Sequence, residues 1–169
     1  MSKKYSQPRI WLHWLSAAVI IWGTMSGFYI PLGKPDAETA GLISFINVSL
    51  TTCFIPFFVL RIIYCMKHKS PPEEAMQKGT NKIARVMHLV LYVNITVVLV
   101  TGVLMMERDI NVFNLFSFPA PLSQPHLTQF FHSLHIVFCA SLALLVLLHI
   151  LAVVKHQLAG KGVMHRMLP

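Results

Sequence analysis

Charged residues are scarce in this chain. Only 12% of its 169 residues are Asp, Glu, Lys or Arg, whereas about a quarter are charged in a typical soluble domain. Hydrophobic residues make up 55%, and the mean hydropathy is +0.62. This deficit of charge predicts a membrane protein, and the length suits a single compact bundle, which we take as one domain over residues 1–169.

Paired cysteine motifs are also lacking. The three cysteines, Cys53, Cys65 and Cys139, lie within or at the end of apolar stretches, and the sequence has no C-x-x-C or C-x-x-C-H. Covalent c-type haem attachment and a cysteine zinc site are therefore not predicted. Small core side chains are the expected role of these residues, and any haem should be held non-covalently, as haem b.

Long apolar runs are what the chain does have. They cover about 10–32, 40–66, 83–106 and 130–154, and each is long enough to cross a hydrocarbon core of about 30 Å. The first run follows a basic start, as in a signal peptide. It is too long for that role and ends without a clear cleavage site, so we predict a retained span.

The distribution of basic residues predicts the orientation. Four spans place both termini on one side, and only Lys34 and Arg108 fall on the other. By the positive-inside rule both termini are cytoplasmic, and the formal charge of +8 reflects this asymmetry and not nucleic-acid binding. The basic residues on the terminal side are Lys3, Lys4, Arg9, Arg61, Lys67, Lys69, Lys78, Lys82, Arg85, Lys155, Lys161 and Arg166.

Two histidines inside the last apolar run suggest cofactor ligands. His135 and His149 are fourteen residues apart, which is about 21 Å along a helix and nearly the same face. Histidines at membrane depth indicate a functional site. Two imidazoles in this register suit two stacked haem groups, each taking one axial ligand from this helix. The alternative is that each histidine hydrogen-bonds a neighbouring helix.

Chain direction decides which histidines share a depth. The first span rises from the cytoplasm and the fourth descends, so His13 and His149 lie low while His135 lies high. His88, near the start of the third span, is also low. The outer start of the second span offers Asn47 and no histidine. We therefore predict an inner haem between His13 and His149, and an outer site that holds a five-coordinate haem, an unusually ligated haem, or none.

Three polar residues near the cytoplasmic end are candidates for a quinone site. His156 lies just below the fourth span, Arg61 ends the second, and His88 is the remaining low histidine. The alternative for His88 is a place beside the haem or its propionates. A histidine there would deliver protons to a reduced quinone, although interface histidines are often only solvated. We interpret His68, His126 and His165 as loop or tail residues.

Two loops connect the later spans. The loop 67–82 is polar and basic, with Pro71-Pro72 excluding regular helix. The loop 107–129 is rich in proline and phenylalanine. We expect it to fold back onto the membrane surface or to cap the bundle, the alternative being a loop without fixed structure.

Several motifs carry a resemblance to a known family. They are KYS…IWLHWL around His13, MHLVLY around His88 with a later GVLMM, the His135–His149 spacing followed by His156, and the closing HRMLP. Together they run almost end to end, and on them the chain resembles the bacterial cytochrome b561 family.

This resemblance implies an all-α, four-helix transmembrane bundle of the bacterial inner membrane with haem b in its core. Members are similar to a superoxide oxidase, which passes electrons from superoxide through two haems to ubiquinone, and to the haem b subunits of formate dehydrogenases and nickel hydrogenases. In the diheme pattern the first and fourth spans supply one ligand pair, matching His13 and His149. The second and fourth spans supply the other, matching His135 but meeting Asn47 where the pattern has a histidine.

Several functions follow from these observations. The first is a cytochrome that oxidises superoxide or a similar donor and reduces quinone. The second is an electron-carrier subunit that docks a dehydrogenase or reductase through the loop 107–129. The third is a single-haem sensor or transport module with an open position at His135. The last is a structural protein without haem.

Overall fold

The fold is built from four long helices. The structure, a computed structural model, describes residues 6–67 and 78–160. Each helix is long and apolar enough to cross a membrane, and together they confirm the predicted all-α, four-helix transmembrane bundle. The helices are α1 (Gln7–Gly33), α2 (Ala37–Lys67), α3 (Lys78–Leu104) and α4 (Pro125–Leu158).

Some of the predictions lie beyond the described residues. His68, His165, the double proline of the loop 67–82 and the closing HRMLP belong to this set. Most helix ends lie beyond the apolar runs, above all in α4, which begins five residues before its run and ends four after it. The exception is the end of α3, at Leu104, two residues before the predicted 106. The helix can continue beyond the apolar run because its backbone groups are hydrogen-bonded within the helix, both inside the membrane and outside it.

The helices associate as two pairs. α1 packs along α2 and α3 packs along α4, whereas α2 and α3, and α1 and α4, touch in few places. A buried cluster of Phe54, Phe58, Ile95 and Leu142 joins the pairs near mid-height. The space between the pairs on the side of this cluster away from the termini is a cavity, which is described below.

The loop between α3 and α4 contains a β-hairpin. Its strands are β1 (Ile110–Val112) and β2 (Phe116–Phe118), paired antiparallel with Ile110 opposite Phe118 and Val112 opposite Phe116. Both outer residues of β1 are buried, and β1 packs against α2. The loop thus packs against the side of α2 and is not the loop without fixed structure that was the alternative.

A buried serine fastens the hairpin to α2. Ser49 is fully buried; its Oγ accepts a hydrogen bond from the Phe113 N–H (3.0 Å) and donates one to the Asn111 carbonyl (3.3 Å). Phe113 and Asn114 both have positive φ, 50° and 57°, which is unfavourable for a bulky residue such as Phe. The contact with Ser49 helps to hold this strained turn.

Candidate functional site

All four helices contribute a polar side chain to one cluster near the terminal ends of the bundle, which we call the inner cluster: His13, Arg61, His88 and His149. The rings of His88 and His149 lie 5.5 Å apart between centroids, inclined by 57°. His149, Arg61 and His88 are all close enough to His13 to interact electrostatically with it. The structure thus gathers the three low histidines, and their ligand roles stay predictions.

Arg61 makes the most specific contact in the inner cluster. Its Nη2 lies 3.1 Å from Nδ1 of His13, and its guanidinium carbon lies 5.2 Å from the centroid of the Tyr92 ring, a cation–π geometry. A guanidinium only donates hydrogen bonds, so Nδ1 of His13 accepts and the ring proton lies on Nε2. Arg61, which we predicted on the quinone side, therefore contacts a predicted iron ligand directly.

Aromatic side chains fill the space between the inner cluster and a second site above it. The Phe54 and Phe58 rings are 5.6 Å apart, and the Phe58 and Tyr92 rings 6.0 Å apart. Phe54 also lines the cavity described next, and the Tyr92 ring contacts the guanidinium of Arg61. The two sites are thus linked by a continuous series of contacts between aromatic rings.

The second site is a cavity between the two helix pairs, which we call the outer cavity. His135 of α4 and Asn47 of α2 both line it, as do Gly23 of α1 and Gly102 of α3. The rest of its lining is mostly apolar. Its other residues are Val19, Ile20, Thr24, Val48, Thr51, Thr52, Phe54, Ile55, Ile95, Val98, Leu99, Val103, Met105, Met106, Ile110, Cys139 and Leu142.

Hydrogen bonds determine the protonation of His135. Its Nδ1 lies 3.1 Å from the Val98 carbonyl oxygen and 3.1 Å from the Thr101 hydroxyl, and that hydroxyl donates to the Val97 carbonyl at 2.7 Å. Because a carbonyl only accepts, Nδ1 of a neutral ring carries the proton and Nε2 keeps its lone pair. A second nitrogen bonded to a backbone carbonyl is the usual arrangement of a metal-ligating histidine.

Asn47 and two glycines shape the walls of the outer cavity. The Oδ1 atom of Asn47 is buried and has no hydrogen-bond partner among the described residues. A Cβ on Gly23 would lie 3.4 Å from this atom, and a Cβ on Gly102 would lie 3.2 Å from Cε1 of His135. The two glycines therefore leave room for the Asn47 and His135 side chains. An imidazole ligand and a mostly apolar lining fit a haem.

The remaining predicted site residue is His156. It is half-buried in the last turn of α4, seven residues past His149 and so about 10 Å further along the helix. Across the described ranges no three His, Cys, Asp or Glu side chains are grouped so as to hold a metal ion. A haem iron needs only one or two protein ligands, so this arrangement is compatible with the predicted sites.

Sequence reasoning did not single out Thr101 or Ser49. Thr101 is almost fully buried and contacts His135, and Ser49 holds the hairpin. A polar residue at helical spacing within an apolar run would have been the available signal for both. That signal does not distinguish such residues from hydroxyls that bond only to their own helix, as Ser16 does.

Comparison with known proteins gives a match over nearly the whole chain. A family model described as prokaryotic cytochrome b561 matches residues 4–169. None of the curated proteins matches the chain.

Proposed function

We propose, on the premise that this chain belongs to the prokaryotic cytochrome b561 family, that it passes electrons to ubiquinone. Membership makes it a multi-pass membrane cytochrome of b type that binds haem b and transfers electrons. The observation that carries the proposal is the inner cluster, which places three histidines and an arginine from four helices together. Such convergence of costly groups at membrane depth indicates function.

His13 and His149 are the proposed inner ligands. They stand on α1 and α4, two helices that make few contacts with each other, and both belong to the inner cluster. When bound, haem b supplies a one-electron iron couple. To hold iron through Nε2, His13 would carry its ring proton on Nδ1, which could then no longer accept the hydrogen bond from Arg61. The guanidinium becomes available to pair with a carboxylate, and haem b carries two propionates.

His88, Arg61 and His156 are the proposed quinone-side residues. Reduction of a quinone to a quinol takes up two protons, and histidine is the side chain suited to deliver them near neutral pH. His156 is half-buried near the end of α4, and His88 contacts His149. These residues would hold the quinone carbonyls by hydrogen bonds and supply protons from the terminal side, which we propose to be cytoplasmic, in a bacterial inner membrane.

The proposed electron donor is superoxide or a similar one-electron donor at the opposite face. The outer cavity supports this, since His135 and Asn47 place polar groups between that face and the ring series from Phe54 to Tyr92. A second candidate function is that of a carrier subunit for a docked dehydrogenase. One observation favours it: Leu115, Phe116 and Phe118 of the hairpin are exposed by 74%, 65% and 51%, and exposed apolar patches often mark interfaces.

Haem analysis of ligand variants tests the inner site. His13→Leu and His149→Leu should each lower the haem-to-protein ratio of the detergent-purified chain by about one. His126→Leu is the control, because His126 is exposed in the first turn of α4. A full haem complement in either ligand variant would refute the proposed pairing.

Kinetics with the purified protein test the direction of electron flow. Superoxide generated in the presence of a soluble ubiquinone analogue should reduce the protein and then yield quinol. His156→Leu should slow quinol formation while leaving reduction by superoxide unchanged. No reduction by superoxide, together with co-purification of a dehydrogenase that reduces the protein, would establish the carrier function instead.

A further inference from the structure

The outer cavity is unsymmetrical in a way that the inner cluster is not. One wall carries His135 over Gly102, and the other carries Asn47 over Gly23. Each wall has a glycine beside its polar side chain. Only one wall offers a good iron ligand, since haem proteins use imidazole, thiolate, thioether or phenolate and not a carboxamide. A haem in this cavity would therefore keep one coordination position without a protein ligand.

The protonation of His135 favours a metal over a hydrogen-bond acceptor as its partner. Its Nδ1–H is directed to the Val98 carbonyl and the Thr101 oxygen, so Nε2 has a lone pair and no proton to donate. Nε2 has the Cys139 thiol at 3.4 Å, and a thiol is only a weak donor. A quinone carbonyl would find no donor at this nitrogen, whereas an iron ion would find a ligand.

Asn47 can supply a hydrogen-bond donor to a molecule bound at the open coordination position. Its Oδ1 is buried without a partner among the described residues, and buried polar groups in folded proteins nearly always have one. Rotation of the amide exchanges Oδ1 with Nδ2 and directs an N–H donor to the same place. A small iron-bound molecule with a partly negative outer atom would accept that hydrogen bond. The surrounding wall is mostly apolar, which suits an uncharged molecule at this position.

We propose that the outer cavity binds a second haem b with His135 as its one protein ligand, and that the position beside Asn47 takes a neutral diatomic gas. Binding is the simple addition of the gas to ferrous iron, with no bond broken in the protein. The inference rests on the proposed function in that both require a haem b protein, but it concerns a different set of residues.

Carbon monoxide added to the dithionite-reduced, detergent-purified chain is the first test. The wild type should contain about two haems and bind about one carbon monoxide, with a shift of the Soret band. The double variant His13→Leu/His149→Leu should keep the gas-binding haem, and His135→Leu should lose it. A wild type that shows no spectral shift, or a shift that persists in His135→Leu, would overturn the proposal.

A second variant keeps the test valid if His135→Leu does not fold. Asn47→His adds an imidazole opposite His135 and should abolish carbon monoxide binding while haem content is retained. Ser44→His is the matched control, since it adds the same imidazole one turn earlier on α2, at a position that does not line the cavity. Carbon monoxide binding that survives Asn47→His would contradict the open position beside Asn47.

The role of the amide is tested by Asn47→Leu, which keeps the size and removes the donor. Loss of one neutral hydrogen bond should raise the carbon monoxide dissociation rate about threefold to tenfold and shift the C–O stretching band in the infrared. An unchanged rate and band would exclude Asn47 as the donor. The two proposals fail separately: one haem and no gas binding refutes the outer site alone, and inner variants that keep all haem refute the inner pairing alone.

Discussion

Nη2 of Arg61 lies 3.1 Å from Nδ1 of His13, and this contact sets the charge beside a predicted iron ligand. A guanidinium is cationic, so the inner cluster contains a positive charge near His13, His88 and His149. The same guanidinium stacks on Tyr92, which limits its freedom to move away. The reduction potential of the inner site should therefore depend on this residue.

Replacing Arg61 by glutamine should lower that potential. A nearby positive charge stabilises the iron that has gained an electron, and at an effective dielectric constant of about 20 the loss should amount to tens of millivolts or more. Arg85→Gln, the same change at an exposed residue of α3, is the control and should have a smaller effect because water screens it. Spectroelectrochemical titration measures both, and equal shifts would refute the argument.

Gly102 should be intolerant of alanine. The added Cβ would lie 3.2 Å from Cε1 of His135, so the imidazole has to shift and its bonds to Val98 and Thr101 weaken. We expect the outer site to lose haem or to change its spectrum. Gly27→Ala is the matched control, since its Cβ meets no described atom within 4 Å, and alanine should stabilise α1 by about 0.5–1 kcal/mol. Indistinguishable spectra of the two variants would contradict this prediction.

Ser49→Ala should loosen the hairpin. The Phe113 N–H and the Asn111 carbonyl lose their partner, and an unsatisfied buried group costs about 1–3 kcal/mol. Phe113 also has a strained positive φ, and the hydrogen bond to Ser49 would no longer hold it in that conformation. Thermal unfolding and limited proteolysis between residues 110 and 118 should show the change. Ser44→Ala on the same helix is the control, and equal proteolysis rates in both variants would argue against the anchoring role.

Asp36 should contribute stability only above acidic pH. Its carboxylate accepts hydrogen bonds from the N–H (2.9 Å) and hydroxyl (2.7 Å) of Thr39 at the start of α2, and these lower its pKa from 3.8. Because the folded pKa is depressed, the contribution is present above pH 3.8 and is lost as the pH falls through the lower folded value. Asp36→Ala should reduce the melting temperature at pH 7.

At pH 3 the gap between Asp36→Ala and the wild type should be narrower than at pH 7. Glu38→Ala removes the same charge from the first turn of α2 and serves as the control for the helix dipole. A gap for Asp36→Ala that is the same at both pH values would contradict the capping role.

The sequence predicted the helices because about twenty consecutive apolar residues leave few other choices in a membrane, where the backbone must satisfy itself. It also indicated His13, His88 and His149 as one group, since chain direction and helix rise determine depth. The contact between Ser49 and Phe113 joins residues 64 positions apart, and strands of three residues are too short to show alternation. Neither feature was predictable.

The contact of Arg61 with His13 could not be predicted from the sequence, for another reason. Chain direction and helix rise predict the depth of a Cα atom only. The charge of an arginine can lie several ångströms further along the bundle, because its side chain is long. The same holds for the protonation of His135, which depends on carbonyl groups of α3 that no pattern in α4 reveals.

The pairing of the helices has a consequence for how the protein is made. α1 and α2 are consecutive and pack on each other, and so are α3 and α4, so each hairpin can form as soon as its second helix has left the ribosome. Between the two pairs the helices touch in few places, and the protein joins them mainly through the Phe54 cluster and the packing of β1 on α2. These contacts need β1 and Leu142 of α4, so the two pairs should join only after α4 has been synthesised.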